Sequence, residues 1–285
     1  MRRERSSLLQ TALLGPVASI VLAVAGLGIM IDTGSSQWIM GLMSAAIGAF
    51  GVYQIKWRGL FKGSNFPFIG LFMILQAAVI PSFTSTLLAL IALIASVGAM
   101  LCFQQRSLTR LIFLIMLICG LGALGARCFL LLAGALMIEL MFVRAFSMRG
   151  FVASVLGLLT PLIILAGFGI YNPLRLIELY NGKWIAGLNV PALIAAIPAV
   201  MFGLSMFLTV YGYPAKQRAR NLAVMSLTVC SILMAVVDSA NGADYMSLIN
   251  LSSAYWVNQF AATRRFGWPA LLLTIAFAIA YGCYY

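Results

Sequence analysis

Polar and apolar positions alternate along this chain in long blocks. Apolar runs cover residues 8–31, 37–55, 66–82, 84–103, 111–126, 128–143, 151–171, 190–212, 221–238, 246–262 and 268–285. Most are close to the roughly 20 residues, about 17–25, that carry a helix across a bilayer. The gaps between them are short, and none is large enough for a soluble domain. The pattern predicts an all-α fold: a polytopic transmembrane helical bundle of about eleven spanning helices, with ten as the alternative count, in a single integral membrane domain over 1–285. The fifth and sixth runs are short and share a junction near Arg127. They read either as a tight pair of spans or as two half-helices. The tenth run is the most polar, carrying Asn250, Ser252, Ser253, Asn258 and Gln259. Such a segment is poorly suited to lipid and is expected to pack inside the bundle.

Proline and small residues punctuate the runs. Pro191 and Pro269 stand where a first helical turn begins, and there the missing N–H costs little. Pro16, Pro161 and Pro198 lie inside apolar runs and predict kinks or local unwinding. Thr160 precedes Pro161, so its hydroxyl could satisfy a freed carbonyl. Gly41, Ala45 and Ala49, Ser44 and Gly48, and Ala153 and Gly157 repeat at four-residue spacing. In lipid, small stripes of this kind let helices approach closely.

Composition points the same way. The chain is 63% hydrophobic and 8% charged, with a mean hydropathy of +1.06; a soluble domain carries about 25% charged residues. There is no histidine, which excludes a Ser-His-Asp triad, a zincin helix and His-ligated haem. The five cysteines, Cys102, Cys119, Cys128, Cys230 and Cys283, contain no CxxC and sit in or beside apolar runs. They read as small core residues, with no disulfide framework. No cofactor is expected. The basic amino end, Met1 to Ser7, leads into an apolar run from Leu8 to Ile31 that is too long for a signal-peptide h-region and has no convincing cleavage site, so it is read as an uncleaved first span.

Charge then sets orientation. Fifteen of the 18 Lys and Arg residues fall in alternate gaps: Arg2, Arg3 and Arg5; Lys56, Arg58 and Lys62; Arg106 and Arg110; Arg144 and Arg149; Lys216, Arg218 and Arg220; Arg264 and Arg265. The other gaps hold Arg127, Arg175 and Lys183, with four of the six acids, Asp32, Glu178, Asp238 and Asp244. This positive-inside alternation puts the amino terminus in the cytoplasm and the carboxy terminus outside. It also requires the polar tenth segment to cross, because Arg264 and Arg265 would otherwise land outside. The net charge of +12 is spread in twos and threes at the ends of apolar runs. That distribution implies contact with anionic membrane lipids and no nucleic acid.

The exceptions to these patterns are the candidates for function. Glu139 is the one acid well inside a run. Arg144 lies five residues on, so a shallow carboxylate paired with Arg144 or Arg149 is the plainer reading. Asn250, Ser253, Tyr255, Asn258 and Gln259, with Trp256, could line a polar cavity for a small ligand, to which Glu139 could add a charge; interhelical hydrogen bonding is the alternative. Gln76 is expected to bond between helices. Arg127, Arg175 and Lys183 could contact an anion at the outer face. Asp238 and Asp244 are expected in solvent rather than paired as catalytic acids.

Three stretches carry a family resemblance. They are Tyr53–Gln54–Ile55–Lys56 through Asn65–Phe66–Pro67 to Pro81; Arg144–Ala145–Phe146–Ser147–Met148–Arg149–Gly150 with Gly157–Leu158–Leu159–Thr160–Pro161; and Asn250–Leu251–Ser252–Ser253–Ala254–Tyr255 with Thr263–Arg264–Arg265. In order and spacing the chain resembles an uncharacterised family of polytopic inner-membrane proteins from Bacteroidota-type bacteria. The resemblance implies a bacterial inner-membrane location and brings no reaction, ligand or catalytic residue.

Three classes of function remain open. The first is a non-enzymatic component or accessory of an envelope system, with other membrane proteins as partners. The second is a small-solute or lipid-linked transporter or flippase using the polar tenth segment. The third is an intramembrane enzyme on a lipid-linked substrate, for which Arg127, Arg175, Lys183, Glu178, Asp238 and Asp244 are the available side chains.

Overall fold

Where backbone N–H and C=O groups must find partners within their own segment, the chain becomes helical. In the computed structural model the described parts of the apolar runs are largely helical. The structure describes residues 19–32, 37–57, 67–101, 108–142, 147–170, 189–208, 215–263 and 267–284, and no strand occurs among the described residues. The helices are α1 (Ser19–Asp32), α2 (Gln37–Trp57), α3 (Pro67–Val79), α4 (Phe83–Leu101), α5 (Leu108–Ala123), α6 (Cys128–Phe142), α7 (Met148–Gly167), α8 (Val190–Ala195), α9 (Ile197–Phe207), α10 (Ala215–Val237), α11 (Met246–Thr263) and α12 (Gly267–Tyr284), with a 3-10 segment over Ser239–Tyr245. Two stretches, Met148–Gly167 and Val190–Phe207, are long and apolar enough to cross a membrane; other apolar helices run 10–17 residues among the described residues.

Local chemistry explains several boundaries. Ser147 caps α7, its Oγ accepting from Gly150 N at 3.1 Å. Pro198 opens α9 and separates it from α8 at Ala196, which is the break expected of a proline inside an apolar run. Helix α7, by contrast, runs on through Pro161. The Thr160 hydroxyl donates to the Leu156 carbonyl at 2.5 Å, one residue before the Gly157 carbonyl that Pro161 leaves without its usual donor. Between α3 and α4, Ile80 takes a positive φ of 51° ahead of Pro81, a left-handed geometry that costs a β-branched residue roughly 1–2 kcal/mol. Its N–H still reaches the Gln76 carbonyl at 3.0 Å, and Ser82 restarts the chain by accepting from Ser85 N at 3.1 Å.

The chain divides into two compact units, one formed from Met1–Ala89, Ile194–Leu208 and Met246–Tyr285, the other from Leu90–Leu193 and Thr209–Tyr245. In the first unit α3 packs on α2, α11 and α12, and α11 packs on α3, α9 and α12. A Cβ on Gly26 would lie 2.9 Å from the Met73 carbonyl, and one on Gly70 would lie 2.9 Å from the Ser19 carbonyl. Helices α1 and α3 therefore touch backbone to backbone at both points, and Gly70 N donates to Ser19 Oγ at 3.3 Å. The polar helix α11 is the core of this unit. Residues 246–254 and 256–259 are all buried, as its composition led us to expect.

In the second unit α5 and α6 form a hairpin closed by a four-residue turn, 124–127, whose N–H groups at Gly125 and Ala126 both reach the Gly122 carbonyl at 2.9 Å. The two short runs are thus a tight helical pair, packed on each other. Helix α10 packs on α6 and on the 3-10 segment, and α5 packs along α7. Helices α5 and α7 run in the same direction. Arg110 and Arg149 share one end of their contact, while Gly120 meets Leu158 further along.

Helix α7 shows an inverted amphipathicity. Its buried face is Gly150, Ala153, Ser154, Gly157 and Pro161. Its exposed face carries Phe151, Val152, Val155, Leu156, Leu159, Ile163 and Ile164, from 38% to 62% exposed. Helix α9 shares only the outward part: Val200, Met201 and Leu204 are exposed, but Phe202 and Met206 are buried beside Ala199 and Gly203. In water a helix like α7 would turn its largest side chains inward, each gaining about 1.5–3 kcal/mol on full burial.

Candidate functional site

Two groups of buried polar side chains stand out, one in each unit. In the first unit a hydrogen-bonded chain joins α3, α4 and α11. Ser85 Oγ donates to Ser247 Oγ at 2.8 Å, while Ser247 N donates back to Ser85 Oγ at 2.9 Å. Ser247 Oγ then donates to Gln76 Oε1 at 3.1 Å. Asn250 Nδ2 donates to the Leu75 carbonyl at 3.0 Å and to Gln76 Oε1 at 3.3 Å. All four side chains are at most 1% exposed. Gln76 thus bonds between helices as its place in an apolar run implied. Asn250 joins the same seam through its Nδ2, while its Oδ1 has no hydrogen-bond partner among the described residues. Ser85 and Ser247 were not singled out from sequence, because serine inside a run of small residues carries no distinguishing spacing.

The rest of the expected polar cavity follows α11 down from that seam. Ser253, Asn258 and Gln259 are buried; Ser253 Oγ and Asn258 Oδ1 have no hydrogen-bond partner among the described residues. Tyr255 is half-buried and meets the Trp256 ring edge-on, with centroids 5.0 Å apart. Trp256 is fully buried and seats on Gly203 of α9.

Glu139 belongs to the other unit, near the end of α6. It is 1% exposed, and Ser96 Oγ of α4 donates to its Oε2 at 3.0 Å. Its Oε1 has no hydrogen-bond partner among the described residues. It also lines a small cavity of about 10 Å³, with Ala95, Ile112, Ile115, Met116, Leu136 and Leu140 around it, room for about one water. The expected pairing with Arg149 is not made, since Arg149 is exposed on α7 and Glu139 faces inward. Arg144 lies outside the described residues.

The second group is centred on Asp238, just past α10. Its carboxylate is fully buried and takes Arg127 Nη2 on Oδ1 at 2.6 Å. Tyr245 Oη donates to Oδ2 at 2.9 Å, and Asn241 Nδ2 lies 3.1 and 3.3 Å from the two oxygens. The expectation of a solvated Asp238 is therefore corrected. The 3-10 segment folds back over the end of α10, placing Tyr245 and Asn241 as donors and shutting out water. Burial pushes the Tyr245 phenol above its usual range, and its bond to Asp238 pushes the same way, which keeps it a proton donor. Arg127, expected to face an outside anion, is 7% exposed at its side chain and bound to this internal carboxylate. Arg175 and Lys183, its proposed companions, lie outside the described residues.

No group of three His, Cys, Asp or Glu side chains that could hold a metal occurs among the described residues. Comparison of the chain with protein-family models, with curated proteins and with solved structures gives no match.

Proposed function

We propose that this chain is a multi-pass bacterial inner-membrane protein, its amino terminus cytoplasmic and its carboxy terminus periplasmic, serving as a non-enzymatic component of an envelope system. The observation that carries the membrane part is the inverted pattern of α7, small residues inside and large apolar ones outside. Lipid tails make that arrangement costless, and close backbone approach then drives helix association. Helix α7, at 20 residues, spans about 30 Å, the thickness of a hydrocarbon core. The charge alternation supports the orientation and the count of about eleven spans. The resemblance to inner-membrane proteins of Bacteroidota-type bacteria supports the location.

The non-enzymatic part is supported by what the polar groups do. Arg127 and Asp238 neutralise each other, and Gln76, Ser85, Ser247 and Asn250 bond one another across helices. Side chains used in this way hold helices together and are withdrawn from an aqueous reaction. Extraction in mild detergent followed by quantitative mass spectrometry is expected to return the chain with a membrane-protein partner at fixed stoichiometry. Recovery always as a lone monomer would count against the proposal.

A second reading, a transporter, is favoured by one observation: Glu139 is a buried acid with one oxygen unbonded beside a water-sized cavity. Intramembrane acids of this kind mark ion and proton routes. On that reading, Glu139→Gln removes a flux that proteoliposomes of the lone chain carry.

A further inference from the structure

Arg110 and Arg149, near the amino ends of α5 and α7, both line an open groove between these helices of about 490 Å³, within the 300–1,000 Å³ range of small-molecule sites. We propose that this groove binds a glycerophospholipid with an anionic headgroup, the two guanidinium groups holding its phosphate and the groove walls taking one acyl chain. The inference deepens the membrane reading above and rests on it.

Among the described residues the charge at the mouth is uncompensated. Both arginines are exposed, and neither has an ion pair or hydrogen bond among the described residues. Arg127, in contrast, is answered by a buried carboxylate. The groove also gathers two helix amino ends, since α5 begins at Leu108 and α7 at Met148. Each amino end adds a partial positive charge, roughly half an elementary charge. Thr109 also lines the groove.

Away from the mouth the groove changes character. Leu114, Val152 and Leu156 line it and are 55%, 46% and 52% exposed, a strip of apolar wall continuous with the charged end. Two cations over an apolar channel match a phosphate over an acyl chain. A free phosphate would meet the arginines and leave the wall bare. A zwitterionic lipid would cover the wall and carry no net charge to the mouth. Basic pockets at the cytoplasmic ends of membrane helices recognise anionic headgroups by this complementarity.

The test uses the full chain, purified in a neutral detergent and offered equal amounts of phosphatidylglycerol and phosphatidylcholine, with bound lipid read by native mass spectrometry. The wild type is expected to retain phosphatidylglycerol preferentially. Arg110→Gln/Arg149→Gln should lower that preference about tenfold, and Arg218→Gln, a cation on α10, should leave it unchanged. Val152→Trp, which fills the groove and keeps both arginines, should lower retention of either lipid. Equal retention of the two lipids by the wild type, an unchanged preference in the double variant, or complete displacement by millimolar inorganic phosphate would overturn the site. Carbonate washing of the membranes separates the two levels of the claim. A chain that stays in the membrane and shows no lipid preference refutes the groove alone, whereas a chain released by carbonate refutes the membrane reading with it.

Discussion

Replacing Arg127 by Met is expected to cost about 3–5 kcal/mol of stability, among the largest effects of any single side chain here. The carboxylate it leaves behind, Asp238, is fully buried and would keep Tyr245 and Asn241 as donors but lose its only cation among the described residues. The placement of the two charges sharpens the expectation. Arg127 precedes the amino end of α6, and Asp238 follows the carboxy end of α10. Each sits at the end of its own helix where the helix dipole disfavours it. Alone, each is destabilising; together they cancel and tie the 3-10 segment to the α5–α6 turn. Removing both should therefore be milder than removing one. Denaturant titration of Arg127→Met, Asp238→Leu and the double variant in detergent micelles forms the cycle. A double variant recovering most of the single-variant loss is the expected outcome. Strictly additive losses would show that the pair is not coupled.

The second large effect belongs to Gly157. A Cβ built there would lie 2.5 Å from the Phe113 carbonyl oxygen, and one on Gly120 would lie 2.5 Å from that of Leu158. Both obstacles are backbone, so nothing can rotate away. Gly157→Leu must push α7 off α5, at a cost near or above the roughly 1–3 kcal/mol typical of overpacking. Gly134→Ala on α6 is the matched control. Nothing lies within 4 Å of its added Cβ, and a helical Gly→Ala change in open space should raise stability by up to about 1 kcal/mol. Thermal unfolding of the two variants should move in opposite directions. Equal midpoints would mean that α5 and α7 do not meet at these glycines.

What the sequence revealed depended on how local each signal was. The burial of α11 was legible because five amide and hydroxyl side chains in one segment have nowhere to go in lipid. The small face of α7 was legible from Ala153 and Gly157. Its partner Gly120 was not, since a single glycine in an apolar run does not announce what it touches. The break before Pro198 followed from proline chemistry, but Pro161 left α7 intact and Thr160 reached the Leu156 carbonyl instead of the one Pro161 frees. The Arg127–Asp238 pair lay beyond sequence reasoning because its members are far apart in the chain and meet only through the packing of α6 and α10. Both are nonetheless charges outside the main basic pattern, and these two exceptions answer each other. Glu139, the acid inside an apolar run, is buried, and its hydrogen-bond partner among the described residues is Ser96.

Reporter fusions test most directly the proposal that the helices cross a bilayer with alternate ends on opposite sides. A reporter active only in the periplasm should be active when fused after Tyr285 and inactive when fused after Arg110. Activity after Arg110, or silence after Tyr285 in a stably produced fusion, would contradict it.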